Sequence, residues 1–176
     1  MAEASESDLL KPGHHFGTGP YLLDLYRLLC MVLADRPLAE MEEHAITIHR
    51  LRGEFVYPEL IRILTSTATV LRILFDHYDR EFAEVRIKPC GELFSDWPKT
   101  QQSEHLTLRE ACNKIIHAAK INHDEIDPDP GNNPDQIGVY LQPFLFLYGT
   151  RDGLDWRAKL SIIEFAKIAA AALIRF

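Results

Sequence analysis

The chain has 176 residues, 47% of them hydrophobic and 26% charged, with a formal net charge of −7. That length suits one domain able to bury a sizeable core without staples, and the acidic balance disfavours non-specific binding to nucleic acid, which depends on clustered Lys and Arg neutralising phosphates. Three widely separated cysteines, Cys30, Cys90 and Cys112, with no Cys-x-x-Cys pair, point to reduced thiols and a cytoplasmic protein.

The polar, acidic stretch Met1 to Asp8 is the opposite of a secretory leader. The longest apolar run, Ile168 to Ile174, falls far short of the roughly 20 residues that span a bilayer, so no membrane contact is expected. Residues 1–19, ending Pro-Gly-His-His-Phe-Gly-Thr-Gly, have the composition of a flexible arm. His14 and His15 are adjacent within it, but no further ligand lies at a useful spacing; they read as solvated, and no metal or cofactor is expected.

Pro20 occupies the favoured first position of a helix, whose buried face is expected to comprise Leu22, Leu25, Leu29, Val32 and Leu33 through about Ala34. Asp35-Arg-Pro37 should end it. A second helix is expected from Pro37, with Leu38, Met41, Ala45, Ile48 and Arg52 at helical spacing, although Ala45 to His49 also alternates as a strand would. Tyr57-Pro58 then restarts helix, and Ile61, Leu64, Ala68, Leu71 and Phe75 recur at three, four, three and four, a strong amphipathic signal running to about Asp79. Within it Thr65 to Thr69 is poor in helix formers; its small side chains suit close packing against another helix. From Phe82 to Ser103 the turn signals Pro89-Cys-Gly91 and Asp96-Trp-Pro98 predict an irregular connection anchored by Phe94 and Trp97.

The sharpest local signals lie in Leu106 to Lys120. Thr107 followed by Glu110 is a capping box, which places the helix start at Leu108. From there Leu108, Cys112, Ile115 and Ala119 form one apolar stripe, while Asn113 and His117, four residues apart, are neighbours on the side away from it. Arg109 lies between the two faces, and Lys114 adds a second cation. Cys112 reads as a core residue, not a nucleophile.

The tract Cys112-Asn-Lys-Ile-Ile-His117 resembles the signature of the HEPN superfamily, helical domains whose motif runs from arginine through a polar residue to histidine. In that resemblance Asn113 matches the polar position and His117 the histidine, while Cys112 stands where the arginine would. Arg109 is the nearest arginine, at about 12 Å along the axis from His117. Members that keep the motif cut RNA without a metal, commonly from a cleft shared by two chains. The resemblance therefore implies His117 as general acid or base, Asn113 orienting it, and Arg109 or Lys114 supplying phosphate charge, with RNA or a nucleotide and a cognate protein as partners.

Beyond this helix, Asn122 to Asp135 is an acidic, proline-broken loop that lacks the EF-hand order of ligands and reads as solvated. Ile137 to Leu141 looks extended. Phe144 to Tyr148 then faces Leu154 to Leu160 across Asp152-Gly153, a two-residue hairpin signal. In that register Leu145 and Leu147 oppose Leu160 and Ala158, and Phe146 and Tyr148 oppose Lys159 and Arg157. The second face suits either RNA stacking or ordinary cross-strand pairing with the basic stems lying over rings; the latter is preferred. Ser161 with Glu164 caps an apolar helix running from Ile162 to Phe176, expected to be buried centrally or under a partner.

The expected fold is therefore mainly α: a bundle of four to five helices forming one domain over 20–176, with a β-hairpin at about 144–160 inserted before the C-terminal helix. Two functions compete. One is a HEPN-like, metal-independent ribonuclease of a bacterial defence or toxin system; the other is a non-catalytic HEPN-like module, an antitoxin, sensor or assembly partner with a degenerate motif. A homodimer is expected in either case.

Overall fold

The computed structural model describes residues 17–39, 45–100, 102–123 and 140–175. Its elements in chain order are α1 (Gly19–Ala39), α2 (Ala45–His77), the single turn α3 (Ala83–Arg86), β1 (Pro89–Phe94), β2 (Glu104–Thr107), α4 (Leu108–His117), β3 (Lys120–Asn122), β4 (Phe144–Arg151), β5 (Leu154–Ser161) and α5 (Ile162–Ile174). The five strands form one antiparallel sheet in the order β2-β1-β5-β4-β3. The expected helical bundle with a lone hairpin is thus wrong: the hairpin is the middle of a five-stranded sheet, on one face of which the helices gather.

Three strands escaped the sequence patterns, β1 and β3 for identifiable reasons. A break in register between Pro89 and Glu92 interrupts β1, so the alternation that signals a strand is lost. Gly91, read as part of a turn, is instead a point of close approach: a Cβ there would lie 2.1 Å from the Lys159 carbonyl oxygen on β5. The helix expected to continue to Lys120 ends at His117, and β3 follows it. There Ala118 turns extended (φ −65°, ψ 126°) and the Ala119 amide donates to the Tyr148 carbonyl at 2.8 Å, so pairing with β4 overrides the helix propensity of the local sequence.

The β4–β5 hairpin has the predicted register throughout, with Leu145 opposite Leu160, Leu147 opposite Ala158, and Phe146 opposite Lys159. Asp152 and Gly153 both have positive φ (52° and 78°), the conformation of a primed two-residue turn that matches strand twist. Leu145, Leu147, Ala158 and Leu160 are all buried, and so are Leu64, Leu71, Ile115 and Phe165 on the helices. The inner face of the sheet and the helices therefore share one core.

The long helices depart from their predicted limits. α1 continues through Asp35 and Pro37 to Ala39, and α2 is a single helix of 33 residues passing through Pro58. Both prolines are exposed, where the carbonyl deprived of its intrahelical donor faces water. Residues 45–52 are helix, not strand. On α1 the buried positions are Asp24, Leu25, Leu28, Val32 and Asp35, so Leu33, expected inside, is outside and Leu28, unmarked by the pattern, is inside.

Two ion pairs explain that rotation. Arg62 of α2 forks onto Asp24, with both nitrogens at 2.9 Å. Arg52 donates to Asp35 at 2.7 and 2.6 Å, and the Leu141 amide donates to the same carboxylate. The Arg62 guanidinium beside Asp24 holds that carboxyl below its usual range. At Asp35 burial opposes the charge, but the Arg52 fork and the Leu141 amide outweigh it and the pKa is again lowered. These bridges set α1 and α2 antiparallel and turn the α1 carboxylates inward.

Candidate functional site

Both predicted capping boxes supply their N-cap hydroxyl, while the Glu110 and Glu164 carboxylates turn to Asn113, Lys114 and Lys167. The Thr107 hydroxyl accepts from the Glu110 amide at 3.3 Å, and the Ser161 hydroxyl from the Glu164 amide at 3.3 Å. α4 accordingly starts at Leu108, and Leu108, Cys112 and Ile115 are buried as its apolar spacing requires. Cys112 has no exposed surface, and burial pushes its thiol well above the ordinary range. Cys90 behaves alike, pushed up to about 12 by burial. Neither thiol is a nucleophile.

The four candidate residues of α4 diverge. Arg109 reaches back to the end of α2, where its Nη2 donates to Asp76 Oδ1 at 3.0 Å; Asp76 also pairs with Arg72 at 3.3 Å. Asn113 donates through Nδ2 to Glu110 Oε2 at 3.1 Å. Lys114 is 6% exposed, with Nζ 3.3 Å from Glu110 Oε1 and 4.2 Å from the centre of the Trp156 ring. His117 is exposed in the last turn, a position where an imidazolium would complement the helix dipole.

Glu110 therefore organises Asn113 and Lys114. Burial raises its pKa, but the Asn113 amide and the Lys114 ammonium outweigh that and hold the carboxyl below its ordinary range. It is an acceptor for its neighbours and stays ionised near neutrality, the opposite of a carboxyl poised to donate a proton.

Spacing within the helix did not reveal the role of Lys114, because its partner ring comes from β5. Gly149 stands opposite Trp156 across the hairpin, and a Cβ on it would lie 2.3 Å from the ring. The missing side chain lets the indole lie flat over β4 and meet Lys114 from below. A Gly facing a Trp across a predicted hairpin is the signal that was available in the sequence. These side chains border an open groove of about 470 Å³ lined also by Glu104, His105 and Arg151. Glu104, Glu110 and Asp152 outnumber Lys114 and Arg151 by one formal charge in the lining, so the groove has no net pull on phosphate.

The outer face of the sheet carries the aromatic and basic side chains expected of it. The Arg157 guanidinium lies 4.2 Å from the Phe146 ring centre and 4.6 Å from that of Trp97; Lys159 Nζ lies 4.6 Å from that of Phe144. Phe146 is buried beneath these cations. The cross-strand explanation accounts for this face, since its most central ring is already covered by the protein's own charges.

The possible metal positions His14 and His15, the segment 124–135 of the acidic loop, and Ile137 to Val139 lie outside the described residues. No helix among the described residues is long and apolar enough to cross a membrane. The chain matches no family model, no curated protein and no solved structure.

Proposed function

We propose that this protein is a non-catalytic interaction module that assembles as a homodimer in a reducing compartment such as the cytoplasm. The observation that carries the reading is the engagement of the α4 cations: Arg109 on Asp76, and Lys114 between Glu110 and Trp156. A phosphoryl-transfer site needs a cation aimed at the reacting group beside a proton-transferring side chain. Here a buried thiol, Cys112, occupies the position that the HEPN resemblance reserves for arginine. Three free cysteines accord with a reducing compartment.

Purified protein incubated with a broad set of RNAs is expected to leave them intact, with divalent metal and with chelator. Metal-independent cleavage that disappears in His117→Ala with an unchanged fold would overturn the reading in favour of a ribonuclease. Light scattering tests assembly, with a dimer expected at micromolar concentration.

The surface for assembly is not the one that apolarity alone suggests. α5 packs Ile162, Phe165, Ala166, Ala169, Ala172 and Leu173 into its own domain. Exposed apolar side chains concentrate instead on α1 and the first half of α2, where Leu23, Tyr26, Leu33, Leu51 and Phe55 face outward.

A further inference from the structure

The register of the sheet gathers one set of side chains at its hairpin end, on the face that the helices cover. Glu104 of β2 lies opposite Leu93 of β1, and Leu93 opposite Ala158 of β5. Trp156 and Leu154 share that face with Ala158, since alternate residues of a strand point the same way, and Arg151 lies opposite Leu154. Glu110 and Lys114 of α4 complete the groove from the other side. Its floor is apolar and its walls are charged, with Glu104 on the β2 side and the Lys114 ammonium over Trp156 of β5.

Two of these charges keep unused hydrogen-bonding capacity. An ammonium has three donors; that of Lys114 meets Glu110 Oε1 at 3.3 Å and the Trp156 ring, and no other acceptor among the described residues reaches it. A cation this deeply buried gains from a further acceptor, because burying a charge is costly unless it is fully paired. Glu104 accepts from the Ser95 hydroxyl on Oε1 at 2.7 Å, and its second oxygen has no partner among the described residues.

The dimensions narrow the ligand. β2 and β5 flank β1, so at about 4.8 Å per strand they stand roughly 10 Å apart. A free amino acid is too short to join groups on both, whereas two extended residues reach about 7 Å and a hydrogen bond at each end covers the rest. The groove volume of about 470 Å³ lies within the roughly 300–1,000 Å³ of small-molecule sites. Its excess of carboxylates disfavours a simple anion, and its buried ammonium disfavours a simple cation.

We propose that this groove binds a zwitterionic dipeptide, with the ligand carboxylate on Lys114 Nζ, the ligand ammonium on Glu104, and an apolar side chain over Leu93 and Leu154. Arg151, whose charge also acts on Glu110, stands on the carboxylate side, with Asp152 beside it at the turn. The site is independent of how the chain assembles and goes beyond the interaction reading above.

The test titrates full-length protein with leucyl-leucine, its N-acetyl form, which lacks the ammonium, and its C-terminal amide, which lacks the carboxylate. Trp156 and Trp97 are the two tryptophans, so a Trp97→Phe background makes the emission report on the groove. A saturable change is expected with the free dipeptide at up to millimolar concentration, and binding about tenfold weaker or more with either capped form, since each loses one charge-assisted contact. Glu104→Gln should weaken the free dipeptide by about tenfold and leave the N-acetyl form as it was; Lys114→Met should act in the same way on the free dipeptide and the amide. Lys114 is buried, so if Lys114→Met does not fold, the capped peptides and Glu104→Gln, at an exposed position, decide the question. No saturable change, equal affinity for the free and capped forms, or indifference to Glu104→Gln would each overturn the site while leaving the non-catalytic reading untouched.

Discussion

The α1–α2 helical hairpin and the β4–β5 strand hairpin distribute polarity in opposite ways. The strands put Leu145, Leu147, Ala158 and Leu160 inside and leave Arg157 and Lys159 on the outer face. The helices draw Asp24 and Asp35 inward onto Arg62 and Arg52 and leave Leu23, Tyr26 and Leu33 outside. The strand hairpin buries its apolar face within one chain, whereas the helical hairpin keeps part of its apolar surface exposed. It also depends on contacts distant in sequence, Asp35 to Arg52 and Asp24 to Arg62, where the strand hairpin depends on a two-residue turn and on neighbours directly across the ladder.

The sharpest way to break the contrast is to remove a long-range clamp. Arg52→Ala leaves the Asp35 carboxylate buried without its guanidinium and should destabilise by about 3–5 kcal/mol, read from the midpoint of urea unfolding. A loss below 1 kcal/mol would show that the bridge is incidental to the α1–α2 pairing. The same pair sets an acid limit. Asp35 has its folded pKa lowered from 3.8, so its stabilisation is fully present above the unfolded value and is lost as pH falls through the folded one. Below pH 4 the parent should lose stability more steeply than Asp35→Asn, which starts lower but lacks that titration.

On the strand side, Gly149→Ala should cost about 1–3 kcal/mol, because the new methyl meets the Trp156 ring that Lys114 covers from the other side. Tryptophan fluorescence should report the displaced indole. If the variant is as stable as the parent, the ring is not wedged and Lys114 is less constrained than its surroundings imply.

Gly153→Ala probes the turn alone. At φ 78° a Cβ should cost about 1–2 kcal/mol without altering the assembly state, measured by thermal melting and light scattering on the same samples. Ser161→Ala removes an N-cap and should cost about 1 kcal/mol, again with no effect on assembly. The smallest effect is expected at His117→Ala, within 0.5 kcal/mol for an exposed residue without a structural contact; a loss above 1 kcal/mol would place that imidazole in an interaction.

Much of this architecture was legible because its signals are local. Thr107 with Glu110 and Ser161 with Glu164 located two helix starts, and Asp152-Gly153 located the turn and hence the pairing of every residue in β4 and β5. Capping and turn geometry involve groups within a few residues of one another, so a short stretch of sequence contains all the partners. The periodic stripes of α2 and α4 were equally readable, since burial of one face needs only a core somewhere on that side.

The sheet as a whole was decided by tertiary structure. β3 pairs along β4 where the preceding helix was expected to reach Lys120, and β1 is interrupted where Gly91 lets β5 approach; neither strand has a periodic signal of its own, because its partners are remote in the chain. The same holds at the candidate site. Sequence placed Asn113 and His117 away from the apolar stripe and Cys112 within it, but Asp76 for Arg109, Trp156 for Lys114 and Arg52 for Asp35 lie 33, 42 and 17 residues away. A charged side chain carries no mark of whether it will meet solvent, substrate or an opposite charge, and that choice is made only when folding brings the distant partner within about 3 Å.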